Sequence, residues 1–99
     1  MAHTRTLEFT RPNTDVSWYK TLANVPTEVE DVITAYKAAG KIIETSVSGE
    51  DTTKITSVIK YAQESDEIAF HAESVINTFR EERDSYNSTN NITKSFSTS

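Results

Sequence analysis

His3 and His71 are the side chains of this sequence that titrate near neutrality, and neither stands in a pattern that commits it to one chemistry. His71 follows Glu67 by four positions, so on a helix the two share a face, and a carboxylate beside an imidazole is the beginning of a general base. Nucleophilic catalysis needs a third group, and the sequence marks none, so His71 reads first as a histidine at the edge of a core. Two isolated histidines without further ligands at matching spacing make no metal site. Glu28, Glu30 and Asp31, and again Asp66 and Glu67, open helical patterns, where the positive end of the helix dipole accounts for them. Glu81, Glu82 and Asp84, interleaved with Arg80 and Arg83, read as a solvated helix end. With two glycines and no cysteine the chain has no phosphate-cradling loop, thiolate or disulfide. The sequons at Asn87 and Asn91 fall in an Asn/Thr-rich stretch and read as chance matches. The expectation is therefore no catalytic residue, no cofactor and no metal.

Contact chemistry is better marked. Trp18 and Tyr19 lie in a long irregular segment, where aromatics either cover a local core or anchor an interface. Phe70 sits about 200° from Ile68 at ~100° per residue, off the apolar stripe of its helix, and is a candidate docking residue. Ile42 and Val58 alternate away from the core-facing residues of their strands and mark the open face of a sheet. Trp18, Tyr19, Phe70, Ile42 and Val58 are thus the expected interaction residues.

The elements that position these groups follow from periodicity. Alternation at 3–11 places Leu7 and Phe9 on one face of a strand that Pro12 ends. The segment 12–26 is long for a connection in a compact domain. Thr27 and Glu30 form a capping box, and Val29, Val32, Ile33 and Tyr36 give a helical stripe ended by Gly40. Alternating runs at 41–48 and 52–61 form a hairpin. A three-residue Gly49-Glu50-Asp51 turn, with Val47 opposite Thr53 and Thr45 opposite Ile55, aligns their core faces. A second helix over 65–86 carries Ile68, Ala72, Val75, Ile76, Phe79 and Tyr86. The polar tail 87–99 holds a possible edge strand at 92–98 or a mobile terminus. The order β-α-β-β-α-β is that of a ferredoxin-like split βαβ fold, an α+β domain with an antiparallel sheet and two helices on one face.

Composition narrows the partners. Residues 1–99 read as a single domain, and 35% hydrophobic content predicts a thin core. A net charge of −5 disfavours nucleic acid. No apolar run reaches the length of a membrane span, and no secretory signal opens the sequence, so no membrane partner is expected.

Two resemblances add to this reading. The opening Arg11–Asp15 followed by Trp18-Tyr19, and the ending Arg83–Asn87 followed by Asn90–Thr93, resemble small proteins of tailed bacteriophages, notably marine ones. In those relatives the last turn often reads Asn-Gly, where this chain has Asn90-Asn91. The resemblance implies a virion or assembly component, in the virion and in host cytoplasm during assembly, that contacts itself or other virion proteins as an oligomer. The element order is also similar to that of dimeric α+β barrel proteins, including cofactor-independent monooxygenases, whose pockets use His, Asn or Trp. The main expectation is a non-enzymatic virion structural protein that works through protein–protein contacts. The alternative is a small barrel enzyme or ligand binder with His71, Trp18 and Tyr36 around a void on the order of 300 Å³. A phage regulator of a host protein is a third reading.

Overall fold

The computed structural model describes residues 2–20 and 24–99. The strands are β1 (His3–Thr10), β2 (Ile42–Ser48), β3 (Lys54–Tyr61) and β4 (Thr93–Thr98). The helices are α1 (Thr27–Ala38), α2 (Glu64–Ala72) and α3 (Ser74–Thr89). The sheet runs β2-β3-β1-β4 with every neighbouring pair antiparallel, so strands joined through helices lie one strand apart. This is the ferredoxin-like α+β arrangement. The C-terminal tail is an ordered edge strand paired with β1 from Thr10↔Thr93 to Arg5↔Thr98.

Pairing of Arg5 with Ile59, Leu7 with Ser57 and Phe9 with Ile55 puts the odd positions of the two central strands on one face. That face packs against the helices. Val29, Ile33, Ile42, Tyr61, Phe70 and Ile76 form one buried cluster, and Phe9, Ile55 and Ile92 form a second. The opposite face carries Thr4, Thr6, Glu8, Thr56, Val58 and Lys60, all half-buried. Val58 lies there as expected, opposite Thr6 and Ser46.

Four local expectations are corrected by backbone geometry. The hairpin turn is longer than three residues: Val47 stands opposite Ser57 and Thr45 opposite Ile59. Gly49 turns the chain at φ 81°, and the Thr52 hydroxyl bonds the carbonyls of Gly49 and Lys54, both at 2.9 Å. The shift is even, so the core-facing parity of the strands survives. A bulge between Ile42 and Glu44 then reverses the alternation at the start of β2. Ile42, expected on the open face, pairs with Tyr61 and is 2% exposed, while Ile43 is 52% exposed.

The second helical pattern is two helices, broken at Glu73, whose ψ of 129° is extended. Each piece has its own buried stripe: Asp66, Glu67 and Phe70 on α2, and Ile76, Arg83 and Asn87 on α3. Phe70, expected at the surface, is therefore core, with its ring 5.3 Å from Tyr36 and 6.0 Å from Tyr61 between centroids. Ile68 is the exposed residue. Finally, α1 starts on the carbonyl of Pro26, with no side-chain cap, so the Thr27–Glu30 box does not form. Its other end is as expected: Gly40 at φ 74°, with Gly40 N–H bonded to the Lys37 carbonyl and Lys41 N–H to the Tyr36 carbonyl, a Schellman closure. Asn91, at φ 58°, ends α3 the same way, with Ile92 N–H on the Asn87 carbonyl at 2.8 Å.

Candidate functional site

The segment between β1 and α1 decides how the helices sit on the sheet. Arg11, 8% exposed, holds it: Nη1 donates to the Val16 carbonyl at 2.8 Å, Nε to the Thr52 carbonyl at 2.9 Å and Nη2 to the Glu50 carbonyl at 3.2 Å. Its guanidinium also lies 4.5 Å from the centre of the Trp18 ring. Trp18 donates from Nε1 to the Glu50 carbonyl at 2.8 Å and packs on the cluster around Phe9, Ile55 and Ile92. Tyr19 stacks against Tyr86 and Phe79, with centroids at 5.3 and 5.7 Å, and donates to Glu82 at 3.2 Å. Both aromatics thus cover the local core, the first of the two roles their types allowed.

Under this cover, between the helices and the odd face of β1 and β3, lies an apolar cavity of about 80 Å³. Its walls come from every layer: Leu7, Phe9, Ile55 and Ile59 from the sheet, Val29 and Ile33 from α1, and Phe70, Ile76 and Phe79 from the other helices. Trp18 and His71 line it, as the enzyme alternative expected; Tyr36 is not among its lining residues. That volume is below the ~300 Å³ of a usual ligand pocket. A groove of about 330 Å³ between the segment, α1 and α3 borders it and shares Tyr19, Lys20, Val29 and Phe79.

Polar groups converge at the end of the cavity formed by β1, β3 and α2. The Glu67 carboxylate is buried and accepts from Arg5 Nη1 at 3.1 Å. It also bonds His3 Nε2 at 2.5 Å, and His71 Nδ1 lies 3.9 Å away. The sequence suggested the Glu67–His71 pair on one helix face; it did not show that His3 and Arg5, from β1, reach the same carboxylate. Burial pulls the His71 imidazole down to about 4, the guanidinium charges of Arg80 and Arg5 add to this, and Glu67 opposes it. His71 is accordingly a neutral imidazole at pH 7. Burial pushes the Tyr61 phenol well above its ordinary value, with nearby Glu67 adding to the shift, so its hydroxyl keeps its proton. Arg83, buried on α3, pairs with Asp84 at 3.2 Å and covers the Phe9 ring at 5.2 Å. Among the described residues no cluster of His, Cys, Asp and Glu could hold a metal ion.

No protein-family model matches the chain, and no curated sequence matches it. Solved structures do. SnoaB, a cofactor-independent oxygenase from Streptomyces nogalater, superposes with a TM-score of 0.59 at 12% identity over 99% of this chain and 90% of that one. A variant of SnoaB gives 0.60 over the same coverage. A dimeric ferredoxin-like protein from an uncultured marine organism gives 0.56 at 10% identity over 100% of this chain and 93% of that one. At these identities the likeness establishes a shared fold.

The expectation of a non-enzymatic virion structural protein is corrected by these findings. Two structures that share the fold over nearly the whole chain are an oxygenase and a dimeric ferredoxin-like protein, and neither is described as a virion component. Phe70 and Ile42, two of the five residues assigned to docking, are core.

Proposed function

We propose that this chain binds a small, largely apolar organic molecule between sheet and helices and oxidises it without a resident cofactor, the reaction class of the oxygenase whose fold it shares. The observation that carries this reading is the apolar cavity whose walls are drawn from all layers of the fold, with polar groups gathered at one end. The chemistry closes with dioxygen alone. A substrate methylene that becomes a carbonyl releases four electrons and two protons; these reduce dioxygen, one oxygen atom ending in the carbonyl and the other in water. The protein's part is to hold the substrate away from bulk water, favour its deprotonated form and fix its orientation.

The experiment is oxygen uptake with a panel of monocyclic enolisable ketones and phenols, coupled to mass analysis of products. This reading expects saturable, protein-dependent uptake with one dioxygen consumed per carbonyl formed. No uptake from any member of the panel, together with no binding, contradicts it. Self-association fits the same reading, since one structure of this fold is a dimer and the Thr-rich open face has no covering layer. Light scattering on the eluting protein gives the mass, and a monomer at all concentrations removes the dimer.

A further inference from the structure

Four residues, Tyr19, Lys20, Val29 and Phe79, line both the apolar cavity and the groove between the β1–α1 connection, α1 and α3, so they form the partition between the two spaces. The cavity, at about 80 Å³, is smaller than the ~300 Å³ of a usual ligand pocket, so the ligand-binding reading requires a wall that yields. We infer that the Tyr19 side chain is that wall: the groove is the way in, and rotation of the Tyr19 ring towards solvent admits a small apolar molecule. The inference rests on the ligand-binding reading above and adds the entry route and the residue that controls it.

Three observations single out Tyr19. The first is how each member of the partition is held. Val29 is 4% exposed in the buried cluster, and its β-branched side chain has one favoured rotamer in a helix. Phe79 packs against the same cluster from α3. Lys20 is exposed, and its flexible stem reaches water whatever the cavity holds. Tyr19 is half-buried on irregular backbone, so its ring turns without carrying a helix with it.

The second is the latch. The Tyr19 hydroxyl donates to the Glu82 carboxylate at 3.2 Å at the surface, and the ring rests on Tyr86 and Phe79. All three partners stand on α3. An exposed hydrogen bond exchanges with water at small net cost, so the closed position is favoured without being locked.

The third is the fixed point beside it. The Val16 carbonyl accepts from Arg11, the Ser17 carbonyl accepts from the Tyr86 hydroxyl at 2.6 Å, and Trp18 Nε1 donates to the Glu50 carbonyl. Among the described residues no main-chain hydrogen bond joins residues 17–20 to another element. Side chains thus pin the cover as far as Trp18, and it stays in place while the next ring turns.

A second groove, between α1 and β2, touches the cavity through Val25 and Ile33. It is the poorer mouth. Ile33 is 7% exposed within α1, and Lys37 bonds the Thr45 hydroxyl from wall to wall at 3.1 Å.

The test is stopped-flow quenching of Trp18, the one tryptophan, by 4-nitrotoluene with the full chain. Tyr19→Phe and Glu82→Ala each remove the latch and keep an aromatic ring at the mouth. Both should raise the association and dissociation rate constants together, by about twofold to tenfold, the worth of one ordinary hydrogen bond, with the dissociation constant nearly unchanged. Thr78→Phe, which fills the groove, should slow both steps, and Thr34→Phe in the second groove should leave them as they are. Unchanged rates in both latch variants, or a rise in dissociation alone, overturn the gate, because a lost ligand contact weakens binding without speeding entry. Slowing by Thr34→Phe in place of Thr78→Phe overturns it as well, by moving the entrance to the other groove. In each of these cases saturable quenching leaves the pocket standing, whereas no quenching of the wild type removes the pocket and the gate together.

Discussion

Replacing Tyr61 with Phe should leave the unliganded protein as stable as before or more so, although Tyr61 is fully buried at the centre of the core. The ring keeps its neighbours, Phe70 at 6.0 Å and His3 at 6.3 Å between centroids, so the apolar burial and edge contacts stay. What leaves is a hydroxyl with no partner among the described residues, a state that costs about 1–3 kcal/mol in a buried position. The vacated space is one atom in the wall of an existing cavity, a loss of less than ~1 kcal/mol. The balance is a gain of about 1 kcal/mol, equivalent to a rise in Tm of roughly 4–8 °C for a domain of this size. Urea unfolding of wild type and variant measures it as a change in midpoint at constant slope. A loss of about 1 kcal/mol would refute the reasoning, because it would show that the hydroxyl is already satisfied inside the folded protein.

Other outcomes follow from the same contacts. His71 has a folded pKa of about 4 against an ordinary 6.5, so as pH falls the unfolded chain takes up this proton first. The stability it contributes is present above pH 6.5 and is lost as pH falls towards 4, on the order of 2–3 kcal/mol, and the His71→Gln difference in urea midpoint between pH 7 and 4.5 reads that share. Arg11→Lys keeps the charge but cannot reach three carbonyls at once, and it should cost about 2–3 kcal/mol in thermal or urea unfolding. Gly49 and Gly40 both hold positive φ, but a Cβ on Gly49 meets the Lys54 carbonyl while one on Gly40 meets open space. Gly40→Ala should therefore cost about 1 kcal/mol and Gly49→Ala clearly more, and equal losses would contradict the turn geometry.

The fold was legible in the sequence because its signals are local. Alternation at Leu7 and Phe9, the stripe Val29–Ile33, and a left-handed residue at Gly40 each mark an element or its end without reference to distant partners. Two of the errors share a cause: a phase change that periodicity carries no record of. A bulge of one residue moved Ile42 into the core, and the break at Glu73 moved Phe70 there, in each case by resetting which face the following residues present. Extending one period through either point inverts the assignment of surface and core.

The site was less legible because it is assembled from long-range contacts. Arg5 and His3 meet Glu67 across more than half the chain, and nothing in their spacing announces it. One signal was available: Arg5 stands on the odd, core-facing parity of β1 with Leu7 and Phe9, where a charge needs a buried partner. Arg11 gave less, since a residue at a strand end before proline ordinarily reads as surface.

The central claim is that a small, largely apolar organic molecule binds in the cavity between sheet and helices. The most direct measurement is isotope-filtered NMR of the labelled protein with unlabelled 4-nitrophenol, reading contacts from the ligand ring protons. The account predicts contacts to Leu7, Phe70 and Phe79, all lost on competition by 4-nitrotoluene at saturating concentration. Contacts to Thr6 and Val58 on the open sheet face, or no contacts up to the solubility limit of the ligand, would contradict it.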